Sequence, residues 1–286
     1  MDTNMSTRTK TWLGIGSIPI IAWTVIPLIW IFSLSVKSSA AQANPDENIL
    51  GNFWPKEIYW GNYSLILTGG AKDLFLPALR NSIIVCVIAT LISVLLATFC
   101  AYAISRLEFP GKRLILTTAL VVSFFPVIAL VTPLFDLWRS IGLFDTTPGL
   151  IIPYLSLTLP LSIWILSAFF QQIPWEMEQA AQVDGATSWQ AFRKVIVPLA
   201  MPGVFTTAII TFFTAWNDFV FAISLTSEKA RTVPAALAFF TGASQFEQPT
   251  GAICAAAVIV TIPVVILVLV FQRRIVAGLT SGAVKG

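Results

Sequence analysis

Few side chains in this sequence could do chemistry, and most of them stand inside greasy segments. Thr207, Thr211, Thr214 and Asp218 recur at helical spacing along one face, with Asn217 beside the carboxylate in "AWNDF". A row of hydroxyls ending in an acid suits the lining of a wet pathway, because an ionisable group at membrane depth usually faces a bundle interior or a water-filled cavity. A plainer role suits them as well: threonines bond to their own helix, and Asp218 would be solvated near an outer surface. Both readings stay open here. Ser156, Thr158, Ser162 and Ser167, in a segment interrupted by Pro153 and Pro160, are candidates for the same cavity. No catalytic residue is expected. Histidine is absent and no acid is paired with a base, which leaves zinc-type sites and Ser-His triads without their residues. Cys86, Cys100 and Cys254 show no CxxC spacing and read as small packing residues, so no metal or cofactor is assigned to this chain. "GIGSIP" at 14–19 lacks the strand–turn–helix setting of a nucleotide fingerprint.

A polar stripe of this kind has meaning only in a chain built to cross a membrane. Of 286 residues 56% are hydrophobic and 11% charged, against about 25% charged in soluble domains, and the mean hydropathy is +0.82. Charge-free runs occupy 11–36, 81–105, 114–135, 146–175, 195–217 and 248–272, each long enough for the ~20 apolar residues that carry a helix across a bilayer. Backbone amides in hydrocarbon must be satisfied within the element, so runs this long imply helices; barrel strands would be about half the length. The expected fold class is all-α, a polytopic membrane protein with six spans at 11–36, 81–105, 114–135, 149–171, 203–225 and 251–271. The first is longer than a signal-peptide core and is read as retained.

An even number of spans puts both termini on one side. Placing them in the cytoplasm assigns ten of the 17 basic residues to inner segments, among them Arg106, Lys112, Arg113, Arg193 and Lys194, together with five acids; the outer segments pair seven basic residues with eight acids. That bias follows the positive-inside rule for a protein of the cytoplasmic (inner) membrane, and the net charge of +3 carries no nucleic-acid implication. The layout is then a cytoplasmic N-terminus at 1–10, an outer segment at 37–80, an inner loop at 172–200, an outer loop at 226–250 and an inner tail at 272–286. The outer loop holds an apolar patch, "AALAFF", which reads either as a partner contact or as a piece folded back on its own helices.

The inner loop is the most structured of the connecting segments. Pro174 suits a first helical position, and Glu176 and Glu178 in the next turn favour the positive end of a helix dipole. Gly185 can end that helix in the left-handed conformation, and Thr187 or Ser188 can cap a second one. In the second helix Trp189, Phe192, Val195, Ile196 and Leu199 form an apolar stripe, and Pro198 and Pro202 mark the approach to the fifth span. The spacing predicts an amphipathic helix–turn–helix, either a connector lying on lipid or a docking lever.

This stretch resembles the cytoplasmic signature loop of ABC importer permease subunits, in which Glu-Ala-Ala is followed three residues later by Gly and then by a hydrophobic–x–Leu–Pro ending. Gln179, Ala180 and Ala181 take the Glu-Ala-Ala place, Gly185 follows Asp184, and Val195-Ile196-Val197-Pro198 closes the pattern, with Gln for Glu and valines for larger aliphatics as departures. Asp184, Gly185 and Ala186 are similar to the carbohydrate-importer branch of the maltose and trehalose type. "RLEFPGKR" at 106–113, "AWNDF" at 215–219 and the ending "QRRIVAGLTSGAVKG" look closest to the second permease subunit of trehalose importers of mycobacteria and related actinobacteria.

The resemblance implies a permease subunit, not an enzyme, that takes up a sugar by alternating access. It implies as partners a second homologous permease subunit, two ATPase subunits that bind ATP and Mg, an extracytoplasmic sugar-binding protein or lipoprotein, the sugar, and membrane lipid. Glu178, Gln179, Ala180, Ala181, Asp184, Gly185, Ala186, Phe192 and Pro198 would form the contact with an ATPase subunit. The tail through Gly278, Leu279, Thr280, Ser281 and Gly282 would reach between the ATPases, and Phe239, Phe240, Thr241 and Gly242 would meet the binding protein. The alternatives are a maltose or maltodextrin importer and an ion-coupled carrier, which would have more spans and midplane charges.

Overall fold

The computed structural model describes the backbone at 7–42, 53–240 and 249–283 and the side chains at 11–42, 53–240 and 249–271. Regular structure among these residues is helical throughout. In chain order the helices are α1 (Thr7–Ser35), α2 (Ser39–Gln42), α3 (Gly61–Leu67), α4 (Lys72–Arg106), α5 (Lys112–Ser123), α6 (Val127–Ile141) and α7 (Thr147–Gln172). They continue as α8 (Glu176–Val183), α9 (Ser188–Ala191), a π-helical turn (Phe192–Ile196), α10 (Val197–Trp216), α11 (Val220–Leu225), α12 (Val233–Leu237) and α13 (Thr250–Ala283).

Five helices among the described residues are long and apolar enough to cross a bilayer: Thr11–Ser35, Lys72–Arg106, Thr147–Gln172, Ser188–Trp216 and Thr250–Phe271. α5 and α6 are long and apolar enough for a sixth crossing only when taken as a pair, and they bend by 90° at their junction. The third span expected at 114–135 is therefore not one straight helix. Pro126 stands at the break: it offers no N–H to continue the α5 ladder, and its own backbone is extended at φ −65°, ψ 115° between the two pieces.

The fifth span also differs from 203–225. The helical path begins at Ser188 and ends at Trp216, and the two carboxylate oxygens of Asp218 accept the Phe221 and Ala222 amides at 3.5 and 3.1 Å, so that a new helix, α11, starts there. Asp218 thus marks a helix break beyond the long span, and is not an acid within it.

The chain forms two compact units, one taking in the residues up to Leu76 with Phe239–Ile262, the other Pro77–Ala238 with the chain from Pro263. In the first, Asn62 closes the end of α1 by donating both amide hydrogens, to the Ser35 and Lys37 carbonyls at 2.9 and 2.8 Å. Lys37 is itself buried, its ammonium 5.0 Å from the Trp30 ring centre.

In the second unit α4, α7, the π-helical turn and α10 pack through Ala97, Ala101, Leu166, Phe170, Ile196 and Ala200, all buried. Small residues let the backbones approach, and hydroxyls tie them: Thr158 donates to Ser93 at 3.0 Å, and Ser162 bonds Thr211 at 2.9 Å. Gly203 on α10 stands against Phe169 of α7, where a β-carbon would lie 2.4 Å from the ring. Gly203→Leu should therefore destabilise the bundle by roughly 1–3 kcal/mol through overpacking. The check is thermal unfolding in detergent; adding Phe169→Ala to the same chain should recover part of the loss, and an unchanged midpoint in the single variant would contradict the close packing.

Candidate coupling site

The loop between α7 and α10 folds as its residue types direct. Glu176 and Glu178 occupy the first turn of α8, which ends at Asp184 before Gly185 takes φ +85°. Only glycine adopts that conformation without cost, and no atom lies within 4 Å of where its β-carbon would be, so the requirement comes from the backbone alone. Thr187 and Gln190 then form a reciprocal capping box on α9, the Thr187 hydroxyl accepting from the Gln190 amide and the Gln190 side chain from the Thr187 amide. The helix widens at Phe192–Ile196, where the Val197 amide reaches back to the Phe192 carbonyl, just ahead of Pro198, whose ring lacks the N–H that the Lys194 carbonyl would need.

The candidate residues separate into two groups. Gln179, Ala180, Asp184, Gly185 and Pro198 are exposed and Ala181 and Ala186 half-buried, whereas Glu178 and Phe192 are buried. Glu178, only 3% exposed, accepts a hydrogen bond from the Tyr102 hydroxyl at 2.5 Å and stands 3.8 Å from Arg106 Nε. Arg106 also donates to the Ile173 carbonyl at 2.8 Å and lies over the Trp175 ring at 5.2 Å. Phe192 packs on Tyr102 with ring centres 4.6 Å apart, and Trp189, more than half exposed, stacks on Phe192 and Phe99.

Tyr102 and Arg106, which the sequence did not single out, hold this loop from α4. Arg106 was accounted for by the positive-inside bias, which hid its second role. The signal was present in their spacing, since positions 102 and 106 fall one turn apart on the same helix face.

The Thr207–Asp218 stripe does not present one wet face within this chain. Thr207 and Thr211 are buried, and Thr211 is bonded to Ser162 of α7. Thr214 is half-buried with its hydroxyl donating to the Ile210 carbonyl at 2.9 Å, Asn217 is exposed, and Asp218 caps α11. Of the tail, Gly278 to Gly282 continue α13 as backbone, while their side chains lie outside the described residues.

At the other end of α7, Asp145 organises the segment that follows α11. Its backbone takes φ +56° and its amide donates to the Leu225 carbonyl at 3.0 Å. Its carboxylate accepts the amides of Ser227, Glu228, Lys229 and Ala230 at 3.0–3.1 Å. Asn81 holds the Lys229 and Arg231 carbonyls, and Ser82 accepts the Val233 amide. The "AALAFF" patch is therefore mostly folded in: Ala235 and Ala236 are fully buried, Phe240 packs edge-on against Phe75 at 6.4 Å, and Phe239 is exposed. Thr241 and Gly242 lie outside the described residues.

The geometry is that of an apolar helix bundle interrupted by a pinned, polar helix–turn–helix and by a loop anchored on Asp145. The chain belongs to the family of binding-protein-dependent transport system inner membrane components, whose family model matches residues 93–281. It is 53% identical over 283 residues to the trehalose transport system permease protein SugB of Mycobacterium tuberculosis, covering 99% of this chain and 100% of that one. The trehalose/maltose transport system permease protein MalG of Thermococcus litoralis is 40% identical over 279 residues, 96% of each chain. In fold the chain is similar to a subunit of a bacterial ABC transporter that imports the acidic polysaccharide alginate, with a TM-score of 0.75 at 24% identity over 95% of this chain and 99% of that one. It is a multi-pass membrane protein of the permease type.

Partial burial raises the Asp145 carboxyl, but the four amides outweigh it and hold the group below its ordinary value of 3.8. A depressed carboxyl contributes stability that is complete above its unfolded value and is lost as pH falls through the folded one. The protection of the Ser227–Ala230 amides against hydrogen exchange, taken relative to the intrinsic rate at each pH, should thus hold down to about pH 4 and fall below it. Asp145→Asn should exchange at least tenfold faster at neutral pH, because one of its two polar atoms donates where an acceptor is needed. Equal protection in the variant would contradict the anchor.

Proposed function

We propose that this chain is one of two different permease subunits in an ATP-driven importer, and that the sugar it moves is trehalose. The observation that carries the reading is the α8–Gly185–α9 unit. It is a short helix whose exposed edge, Gln179 to Asp184, is left for a partner while Glu178 and Phe192 fasten it inward. The relatives named for trehalose and for trehalose/maltose transport support the substrate. Maltose is the second reading, favoured by the latter name.

In this reading both termini are cytoplasmic and two partner ATPase subunits bind ATP and Mg. Closure of the ATPase pair moves the cleft in which α8 sits, and the helical path from Ser188 to Trp216 converts that movement into tilting of the bundle. Two packings of similar free energy are then biased by nucleotide and by the loaded binding protein. An extracytoplasmic binding protein delivers the sugar to the outer face, with Phe239 among its contacts, and the Gly278–Gly282 tail lies near the ATPases. The second permease supplies the remaining walls of the path, since Thr207 is buried and Thr211 is bonded to Ser162 within this chain.

Reconstitution of the permease pair with the ATPases and the binding protein tests the assignment. ATP hydrolysis should be stimulated by binding protein loaded with trehalose, and less by maltose or maltodextrins. A chain that transports on its own down an ion gradient would contradict the importer reading.

Within that complex, Gly185→Val should insert normally but lose sugar uptake. Positive φ costs a β-branched residue roughly 1–2 kcal/mol, and the strain misaims α8 rather than unfolding the bundle. Gly185→Ala should be milder. Wild-type uptake in the valine variant would leave α8 as a passive connector. Phe239→Ser should weaken stimulation by the loaded binding protein and leave assembly intact; unchanged stimulation would remove Phe239 from that contact.

A further inference from the structure

Glu178 differs from the other acids of its loop. Glu176 and Asp184 are exposed, as acids on a docking helix are expected to be, whereas Glu178 turns into the protein. A carboxylate that leaves water without partners is costly, and such groups persist where a charge and hydrogen-bond donors meet them. Here the partners come from the last turn of α4: the Tyr102 hydroxyl on one oxygen and the Arg106 guanidinium facing the other. Glu178 Oε2 and Arg106 Nε have no hydrogen-bond partner among the described residues, so each has the other as its charge neighbour.

The same two α4 residues hold the rest of the loop. Arg106 grips its beginning through the Ile173 carbonyl and the Trp175 ring, and Tyr102 packs on Phe192 in its second half. The loop is joined to α10 by continuous helix, a covalent connection. Its connection to α4 is made by side chains alone, through this cluster and the rings around it.

We propose that Tyr102 and Arg106 are positioning residues that latch α8 to the inner end of α4, so that α4 moves together with the coupling helix and α10. This rests on reading α8 as the contact with an ATPase subunit. Without the latch, force arriving at α8 would tilt α10 while α4 lagged, and ATP would be hydrolysed with little sugar moved.

The test uses the complete reconstituted complex and reads sugar transported per ATP hydrolysed. Arg106→Gln should assemble, keep basal ATP hydrolysis and lower the ratio at least fivefold. Tyr102→Phe, which keeps the ring and removes only the hydroxyl, should lower it two- to threefold. Arg106→Lys, retaining charge without the planar fork, should fall between wild type and Arg106→Gln. Combining Arg106→Gln with Glu178→Gln should cost no more than the worse single change, because the two act as one unit. If Arg106→Gln does not assemble, Tyr102→Phe and Arg106→Lys decide: a wild-type ratio in both overturns the latch, as does a loss that merely tracks the amount of complex. A cysteine at the exposed Val183 separates this from the underlying reading. Absence of a cross-link from Val183→Cys to an ATPase subunit sinks the coupling assignment itself and the latch with it, whereas a cross-link with an unchanged ratio in the α4 variants sinks only the latch.

Discussion

A carboxylate removed from water has to meet donors and a compensating charge, and in this protein Glu178 meets both at the C-terminal end of α4. That one requirement decides how the polar connector between α7 and α10 lies. With Glu178 turned inward, the helical period of α8 turns Gln179 and Asp184 outward, and Gly185 reverses the chain so that Phe192 comes back onto the Tyr102 ring. The exposed edge is thus defined by what the opposite edge is bound to.

Acids do similar structural work elsewhere in the molecule. Asp145 gathers the four amides of Ser227–Ala230, and Asp218 accepts from the first turn of α11 just past the end of α10. Each acid fixes an irregular backbone segment by accepting from N–H groups or from a neighbouring helix, in a chain that has little other polar material for the purpose. The hydroxyls take the interhelical share: Thr158 with Ser93 and Ser162 with Thr211 join helices whose alanines pack closely. An apolar bundle is thereby kept in register by a few directional contacts.

Much of this was legible in the residues. Charge-free runs reveal the crossings, Glu176 and Glu178 mark a helix start, and Gly185 followed by Thr187 marks the turn and cap that the structure contains. What stayed hidden depends on tertiary context. Pro126 was visible, but whether a proline kinks a span or breaks it by 90° depends on how neighbouring groups take up the freed carbonyls. The Thr207–Asp218 spacing is a true helix face only as far as Trp216. Beyond it the Asp218 cap changes the path, and a periodicity argument cannot see a cap that consumes its own residue. Arg106 looked like an ordinary inner-side charge because its partner lies 72 positions away in sequence at Glu178.

The proposed lever requires that the α8 helix and the adjoining bundle move as one body. Spin labels at Val183 on α8 and Leu95 on α4, both exposed, allow this to be measured in the assembled complex by electron–electron resonance. On going from the nucleotide-free to the ATP-bound complex, the Val183–Leu95 distance should stay fixed, while the distance from Val183 to the corresponding helix of the second permease subunit shortens. A Val183–Leu95 distance that changes with nucleotide, with no change between the two permeases, would contradict the account.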